Sequence, residues 1–229
     1  MGYAICFLAY GVEHIIEFNI VAKTLLKIDK NVKIFVGTDS PDSIDDGVYK
    51  IIKINDDFNF NLKRLVIESA LNEYDTILFL DTDVLIYEKI DLSILDNINE
   101  NKIYVAELVG LNDLRDVYGS LDYMENYLNI LKTFNDELQL IHEGYFILKI
   151  NNKEQKHMFI KTWEEIDLIT RSEQKMAYNL LGAMEGLIIY ISVIKSNIDI
   201  EIQNGKIKTL FNKIIHLGKP NNKLKKTII

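Results

Sequence analysis

The stretch Ile77-Leu78-Phe79-Leu80-Asp81-Thr82-Asp83 decides the fold class of this chain. Its apolar run is too short for a helix of its own, is typical of a buried strand, and leads directly into two carboxylates separated by one residue. Side chains alternate faces along an extended chain, so we expect Asp81 and Asp83 to point the same way off the end of this strand. Open α/β sheets bind ligands just outside the carboxyl ends of their strands.

The two carboxylates predict a metal site. Like charges aimed at one point repel each other unless a positive charge lies between them. A hard divalent cation is the usual partner of such a pair, and a cation at a strand end commonly holds a phosphate. We therefore expect a metal and a phosphorylated ligand at Asp81 and Asp83.

Strands and helices alternate over residues 1–83, which indicates a parallel sheet and a Rossmann-like half. Apolar runs predict strands at residues 3–9, 32–36, 49–54 and 76–80, and helical spacing predicts helices over residues 13–27 and from residue 62 onward. Beyond Asp83 we expect strands at residues 103–108 and 145–150, helices over residues 151–169 and 172–184, and a tight turn at Asn204-Gly205 between two short β segments. Without an internal repeat or a low-complexity linker, the chain is interpreted as one compact unit.

Composition excludes several classes of function. The net charge of −8 argues against binding nucleic acid through its phosphates, which requires a basic face. Cys6 is the single cysteine, so neither a disulfide framework nor a thiolate metal cluster is expected, and we interpret it as a small buried apolar residue. No apolar run approaches the ~20 residues of a membrane-spanning helix. We expect a cytoplasmic protein without a transmembrane segment.

Motifs at both ends of the chain resemble a known family. The Asp81-Thr82-Asp83 element and the late segment Ile214-Ile215-His216-Leu217-Gly218-Lys219-Pro220 resemble glycosyltransferases of the GT-A fold. The resemblance is to the family-eight type, which includes glycogenin and bacterial galactosyl- and glucosyltransferases and carries Asp-x-Asp after an apolar strand. It implies an α/β, Rossmann-like nucleotide-diphospho-sugar transferase with a mixed, mostly parallel central sheet flanked by helices. A single domain over residues 1–229 would comprise a nucleotide-binding half, 1–83, and an acceptor-binding half with a C-terminal metal and phosphate segment, 84–229.

The resemblance implies a set of metal ligands. Asp81 and Asp83 would bind the cation, and His216 would complete its protein ligands. Carboxylate oxygens with one imidazole suit Mn²⁺, whereas an all-oxygen shell would suit Mg²⁺ better, so we expect Mn²⁺ with Mg²⁺ as the alternative. The alternative for His216 is a histidine that packs beside its apolar neighbours.

The resemblance also implies a nucleotide-sugar surface. Tyr10 would stack on uracil, Gly11 would let the backbone approach the ligand, and Lys219 would neutralise the diphosphate. Several residues also have a purely structural alternative. Tyr10 would cover the core, and Lys219 would be a solvated lysine. Arg64 would be a surface arginine, and Asp39 would form an Asx-turn. The nucleotide-sugar candidates are Ala9, Tyr10, Asp39, Arg64, Thr82, Gly218 and Lys219.

The acceptor side departs from the family pattern. Glu143 precedes Gly144 where the family usually has Asn, and Glu173-Gln174 resembles an Asp-Gln pair at a helix start. Glu143 is our candidate for the base of an inverting reaction, and Asp83 is the second catalytic candidate. Gly144, Glu173 and Gln174 are the candidates for the acceptor or sugar side. The retaining outcome, expected for a close member of the family, stays open.

These motifs predict a metal-dependent glycosyltransferase that moves a hexosyl or deoxyhexosyl group from a nucleotide-diphosphate sugar to a hydroxyl acceptor on a glycan or similar molecule. The expected donor is a UDP-sugar. Breaking the anomeric C–O bond builds charge on the departing phosphate, which a cation would stabilise. The alternatives are a phosphatase or nucleotidyltransferase of Rossmann-like fold and a non-catalytic nucleotide-sugar-binding protein. The donor sugar, the acceptor and the oligomeric state stay open.

Overall fold

A computed structural model describes residues 2–57, 62–86, 90–110, 139–141, 144–172 and 181–216, without the side chains of residues 109, 169–172, 181–184 and 216. The strands are β1 (Tyr3–Ala9), β2 (Lys33–Thr38), β3 (Lys50–Lys53), β4 (Thr76–Leu80), β5 (Val84–Ile86), β6 (Lys102–Val105), β7 (Leu108–Gly110), β8 (Gln139–Ile141), β9 (Tyr145–Lys149), β10 (Asp199–Ile202) and β11 (Ile214–His216). The helices are α1 (Val12–Ile28), α2 (Lys63–Leu71), α3 (Lys153–Ser172), α4 (Leu181–Lys195) and α5 (Gly205–Phe211), with 3₁₀ segments at Pro41–Ser43 and Leu92–Asn97.

A mixed sheet lies at the centre of the protein. Its strands run in the order β10-β6-β9-β4-β1-β2-β3. The β1 strand pairs in parallel with β2 and β4, whereas β9 runs antiparallel to its neighbours β4 and β6. Two short antiparallel ladders, β5 with β11 and β7 with β8, lie outside this sheet. The predicted mixed, mostly parallel sheet flanked by helices is confirmed.

Hydrophobic cores cover both faces of the sheet, which is why its central strands read as continuous apolar runs. Ala4 and Cys6 of β1 belong to the core that also contains residues of α2, α3 and α4. Ile5 and Phe7 belong to the opposite core, which contains residues of α1, α5 and the Leu92–Asn97 segment. Alternate residues of one strand therefore hold helices on opposite sides of the sheet.

The order of the strands creates a crevice beside β1. The chain leaves β1 through α1, adds β2 and β3 on one side, and then returns through α2 to add β4 on the other side. Because α1 and α2 pack on opposite faces, the connections diverge between β1 and β4. Such a divergence leaves a crevice at the carboxyl ends of the two strands, which is the usual ligand site of open α/β sheets.

Several predicted elements were placed incorrectly. Most of the helix expected over residues 172–184 lies outside the described residues. Residue 172 ends α3 and residues 181–184 begin α4, which continues to Lys195 through residues from Glu185 to Ile189 that are buried on every side and so lack an amphipathic period. The predicted turn at Asn204-Gly205 is wrong because α5 begins there. Ile207, Leu210 and Phe211 are buried at helical spacing. The strand expected at residues 103–108 is divided between β6 and β7.

The described helices include none with the length and apolar character needed to cross a lipid bilayer.

Close packing of α2 on β2 depends on Gly37. A Cβ atom at Gly37 would lie 2.6 Å from Cγ2 of Val66 and 2.9 Å from Cδ1 of Ile54. Both distances are shorter than van der Waals contact, and Val66 is a β-branched residue in a buried helix face, so it has little freedom to move. Only glycine therefore fits without moving the side chains of Val66 and Ile54.

We predict that Gly37→Ala lowers the free energy of unfolding. Overpacking costs about 1–3 kcal/mol, which exceeds the ~0.4–1 kcal/mol that alanine gains by restricting the unfolded chain. Urea denaturation measures the difference. Gly2→Ala is the matched control, because a Cβ atom there would lie 3.6 Å from the Tyr74 ring, an ordinary contact. Equal stability of the Gly37→Ala and Gly2→Ala variants would contradict the packing argument.

Cys6 gives a second test of the core. Its side chain is fully buried in β1, and this burial raises the pKa of the Cys6 thiol well above its ordinary value. The thiolate is the form that reacts with disulfide reagents, so we expect the native protein at pH 8 to be inert to Ellman's reagent. In guanidinium the unfolded protein should react with one equivalent of the reagent per chain, because Cys6 is the single cysteine. Rapid reaction of the folded protein would place β1 outside the core.

Candidate active site

The Asp81-Thr82-Asp83 segment forms a turn between β4 and β5. The Asp81 backbone N–H donates a hydrogen bond of 2.9 Å to the Gly144 carbonyl, which extends the pairing of β4 with β9 by one residue. Thr82 is buried, whereas Asp81 and Asp83 are partly exposed. The expectation of an extended backbone through this segment is wrong, because the chain turns at Thr82 to enter β5. Alternation along a strand therefore does not determine where the two carboxylates point.

The last described strand lies against the strand that leaves this turn. The β11 strand pairs antiparallel with β5, and His216 is opposite Val84. Residues opposite each other in such a ladder have Cα atoms about 5 Å apart. The backbone of His216 is therefore beside the residue that follows Asp83, although the two segments are distant in sequence.

The β1 and β2 strands end at the same edge of the sheet. The Gly11 N–H donates a 3.0 Å hydrogen bond to Oδ1 of Asp39, so the loop after β1 is fastened to the loop after β2. Gly11 has φ 83°, a backbone conformation that favours glycine. The Tyr10 hydroxyl donates a 3.0 Å hydrogen bond to the Asp56 carbonyl, and Ala9 is buried at the strand end. These contacts connect Ala9, Tyr10 and Asp39 within one sheet edge.

A polar cluster connects α1 to the turn. The Thr82 hydroxyl donates a 3.2 Å hydrogen bond to Oε2 of Glu17. Nδ1 of His14 lies 3.0 Å from the Thr82 hydroxyl and 3.2 Å from the same Glu17 oxygen. Because Thr82 is buried, its hydroxyl requires these partners. The cluster therefore ties the first turns of α1 to the turn after β4.

A buried lysine lies beneath the turn on the opposite face of the sheet. Nζ of Lys63, in the first turn of α2, is 2.8 Å from Oδ1 of Asp81 and 3.0 Å from Oε1 of Glu185. It also lies 4.9 Å from the centroid of the Phe79 ring, a cation–π distance. Lys63 and Glu185 are both almost completely buried. Asp81 is thus held by an ion pair from α2 as well as by the backbone of Gly144, just before β9.

Arg64, the neighbouring residue, points toward a different partner. Its guanidinium lies 3.1 Å from Glu68 in α2 and 3.3 Å from Glu164 in α3. Its side chain is mostly buried between the two helices. Arg64 would have to leave Glu164 to reach a ligand in the crevice.

Some predicted site residues lie outside the described part of the chain: Glu143, Glu173, Gln174, Gly218 and Lys219. Their roles stay predictions. Of the predicted residues that are described, Ala9, Tyr10, Asp39, Thr82 and the two aspartates lie at the carboxyl ends of β1, β2 and β4, and Gly144 lies beside Asp81.

The sequence interpretation missed Lys63, Glu185, His14 and Glu17. A signal existed for the first two. Lys63 shares the helical spacing of the buried residues Val66, Ile67 and Ala70, so its charge interrupts an apolar face. Glu185 is the single charged residue between positions 181 and 194. For His14 and Glu17, polar residues on a half-exposed helix, the sequence carries no comparable signal.

Comparisons with solved structures identify the fold. The galactosyltransferase LgtC, solved in complex with donor and acceptor sugar analogs, matches 88% of this chain and 73% of its own length, with a TM-score of 0.53 and 16% identity. The glycosyltransferase GlyE of Streptococcus pneumoniae TIGR4 matches 95% of this chain with a TM-score of 0.53 and 16% identity. The bifunctional WbbM protein matches 95% with a TM-score of 0.51 and 12% identity. This chain has the GT-A fold.

The GT-A fold is shown by structure alone. Neither a protein-family model nor a curated protein matches the sequence. The chain spans 54% of the matched GlyE structure and 46% of the WbbM structure, so it corresponds to about half of each.

The chemistry of the side chains at the turn, two carboxylates, is of the kind that divalent cations bind. Asp81 and Asp83 are both partly exposed in the turn, and the backbone of His216 lies opposite Val84. Carboxylate and imidazole donors together suit Mn²⁺. Among the side chains that the structure describes, no three His, Cys, Asp or Glu residues gather as a metal cluster. The His216 side chain is not one of those described.

We predict that Thr82→Val lowers the free energy of unfolding by about 1–2 kcal/mol, because Glu17 and His14 lose a buried hydrogen-bond partner. Thr82→Ser keeps the hydroxyl and should retain most of the stability. Thermal unfolding followed by circular dichroism gives the comparison.

The control for Thr82 is Thr209→Val. Its hydroxyl donates to the Gly205 carbonyl at 3.2 Å, but Thr209 is exposed, so water can replace that bond. If Thr82→Val is no more destabilising than Thr209→Val, the polar cluster does not hold the turn.

Proposed function

We propose that this protein is a metal-dependent glycosyltransferase that moves a sugar from a nucleotide-diphosphate sugar to a hydroxyl acceptor on a glycan or similar molecule. The proposed donor is a UDP-sugar carrying a hexosyl or deoxyhexosyl group. The proposal rests on the GT-A fold together with one observation. His14, near the start of α1, contacts Thr82 in the Asp81–Asp83 turn, and β11 pairs with β5, the strand that leaves this turn.

Asp81, Asp83 and His216 are the proposed metal ligands, for Mn²⁺ or alternatively Mg²⁺. When bound, the cation would neutralise charge that develops on the leaving nucleoside diphosphate. The cation would also help the donor to bind, because the net charge of −8 and the carboxylates at the turn repel an anionic molecule. Thr82, held by Glu17 and His14, keeps the backbone between the two aspartates fixed.

The loops after β1 and β2 are the proposed nucleotide surface. The Tyr10 ring would stack on the base, and its hydroxyl bond to the Asp56 carbonyl limits the positions of the ring. Asp39 would accept a hydrogen bond from the ribose while it holds the Gly11 N–H. Ala9 would border the nucleotide at the strand end.

The phosphates require positive charge beyond the cation. Gly218 and Lys219 follow β11 in sequence and are the proposed phosphate-binding residues, with Arg64 as a second cation. Arg64 would assist only by exchanging its Glu164 contact for the donor.

Glu143 is the proposed base for the acceptor hydroxyl, and Asp83 is the second catalytic candidate. Gly144, the neighbour of Glu143, accepts the Asp81 N–H, which supports a role for this segment beside the metal turn. Glu173 and Gln174 are proposed to contact the sugar or acceptor. A carboxylate base at hydrogen-bond distance from the attacking hydroxyl is what an inverting transfer needs.

The first test is calorimetric titration of UDP with and without Mn²⁺. We predict that Mn²⁺ tightens UDP binding at least about tenfold, which is about 1.4 kcal/mol. Asp81→Asn, Asp83→Asn and His216→Ala should each remove most of that gain, because each takes away a proposed ligand of the cation. Asp199→Asn on β10 is the control, since this exposed aspartate lies at the far edge of the sheet.

The wild-type protein and the same variants are then tested in a donor screen that measures the UDP released from a panel of UDP-sugars. Mn²⁺-dependent release that follows the calorimetric ranking supports transfer. UDP binding that ignores Mn²⁺ and all three substitutions would defeat the proposal. Mn²⁺-dependent binding without release from any nucleotide sugar, with or without candidate acceptors, would favour a non-catalytic nucleotide-sugar-binding protein.

A further inference from the structure

Burying the charge of a lysine inside a protein costs free energy. Lys63 is 4% exposed, and its charge is balanced by Asp81 on one side and Glu185 on the other. Removing a lysine and a carboxylate from water costs free energy that their attraction often fails to recover. Apolar residues of similar volume in the same place are frequently as stable or more stable. Stability alone therefore does not explain the ion pair.

The geometry of the three charges suggests another reason. Glu185 is 1% exposed in α4, whereas the Asp81 side chain is 24% exposed at the crevice. Lys63 thus connects a fully buried carboxylate to one that ligands can reach. Its Nζ is also packed over the Phe79 ring, which restricts the ammonium to the position between the two carboxylates.

We propose that Lys63 is a positioning residue for Asp81 and that Glu185 holds Lys63 in place. This inference rests on the proposed function, because it assigns Asp81 to the cation. The 2.8 Å ion pair restricts the Asp81 carboxylate before any ligand arrives, so less conformational freedom is lost on binding. Partners that orient a metal-binding carboxylate in this way typically contribute about 10–100-fold to metal affinity.

This role differs from that of the neighbouring Arg64. Arg64 pairs with Glu68 and Glu164, which lie on the helices, and neither belongs to the Asp81–Asp83 turn. Lys63 instead contacts the turn directly from beneath the sheet. The two basic residues are adjacent in sequence, but one contacts the turn and the other does not contact it in this structure.

The test removes both buried charges together. Lys63→Met alone would leave Glu185 without its counter-charge, so that variant is expected to unfold easily. The double variant K63M/E185L replaces the ion pair with apolar volume, and far-UV circular dichroism checks that it folds. A second apolar pair, K63L/E185M, is made beside it, and whichever pair folds as wild type is used. Lys63→Arg keeps the charge and hydrogen-bond donors and serves as the rescue variant.

The probe is Mn²⁺ alone, titrated calorimetrically without nucleotide, so the readout does not depend on turnover. We expect the apolar pair to weaken Mn²⁺ binding about 10–100-fold and Lys63→Arg to restore it to within about threefold of wild type. The control is K102M/E201L, which removes a 2.7 Å cross-strand ion pair between β6 and β10, away from the crevice. Its Mn²⁺ affinity should equal that of wild type.

The outcomes separate the two proposals. Wild-type Mn²⁺ binding that is lost in Asp81→Asn but unchanged or tighter in the folded apolar pair overturns the positioning role and leaves the proposed function intact. Wild-type protein that does not bind Mn²⁺ defeats both, because Asp81 then has no cation to meet. If the K102M/E201L control loses as much Mn²⁺ affinity as the apolar pair, the inference is also overturned, because the loss of any ion pair would then have the same effect.

Discussion

The parallel pairing of β1 with β4 is the interaction on which the candidate site depends. The register aligns Tyr3 with Thr76 and Cys6 with Phe79, so both strands end at one edge of the sheet. One end carries the loop that binds Asp39, and the other carries the Asp81–Asp83 turn. A slip of one residue in this pairing would turn one strand's side chains to the opposite core. The complementary apolar faces of α1 and α2 therefore also fix the relative position of the polar loops.

Polar contacts then hold the turn from three directions. From one face, His14 and Glu17 of α1 bind Thr82. From the other face, Lys63 of α2 binds Asp81. Within the sheet plane, the carbonyl of Gly144, the residue before β9, accepts the Asp81 N–H. A short segment with such support on both faces is rigid before a ligand arrives, which is the property that a binding or catalytic site requires.

Much of this fold could be predicted from the sequence, because strands buried on both faces are short apolar runs and the first half alternates regularly. The Asp81–Asp83 motif was found for the same reason, since it directly follows one of these runs. Prediction failed where tertiary contacts decide the outcome. Gly205 looked like a turn residue, but burial of Leu210 and Phe211 makes the segment helical. Lys63 and Glu185 lie far apart in sequence, and only the packing of α2 against α4 brings their charges together.

The β5–β11 ladder has a consequence for shortened forms of the chain. A polypeptide that ended at Phe211 would lose only Ile214 from the described residues of the two cores, yet β5 would lose the strand that covers its hydrogen-bonding edge. Exposed edges recruit strands from other molecules. Trimming of the C-terminal region by a protease would therefore do more than remove His216. It would leave the edge of β5 unpaired beside the crevice and favour self-association of the truncated product.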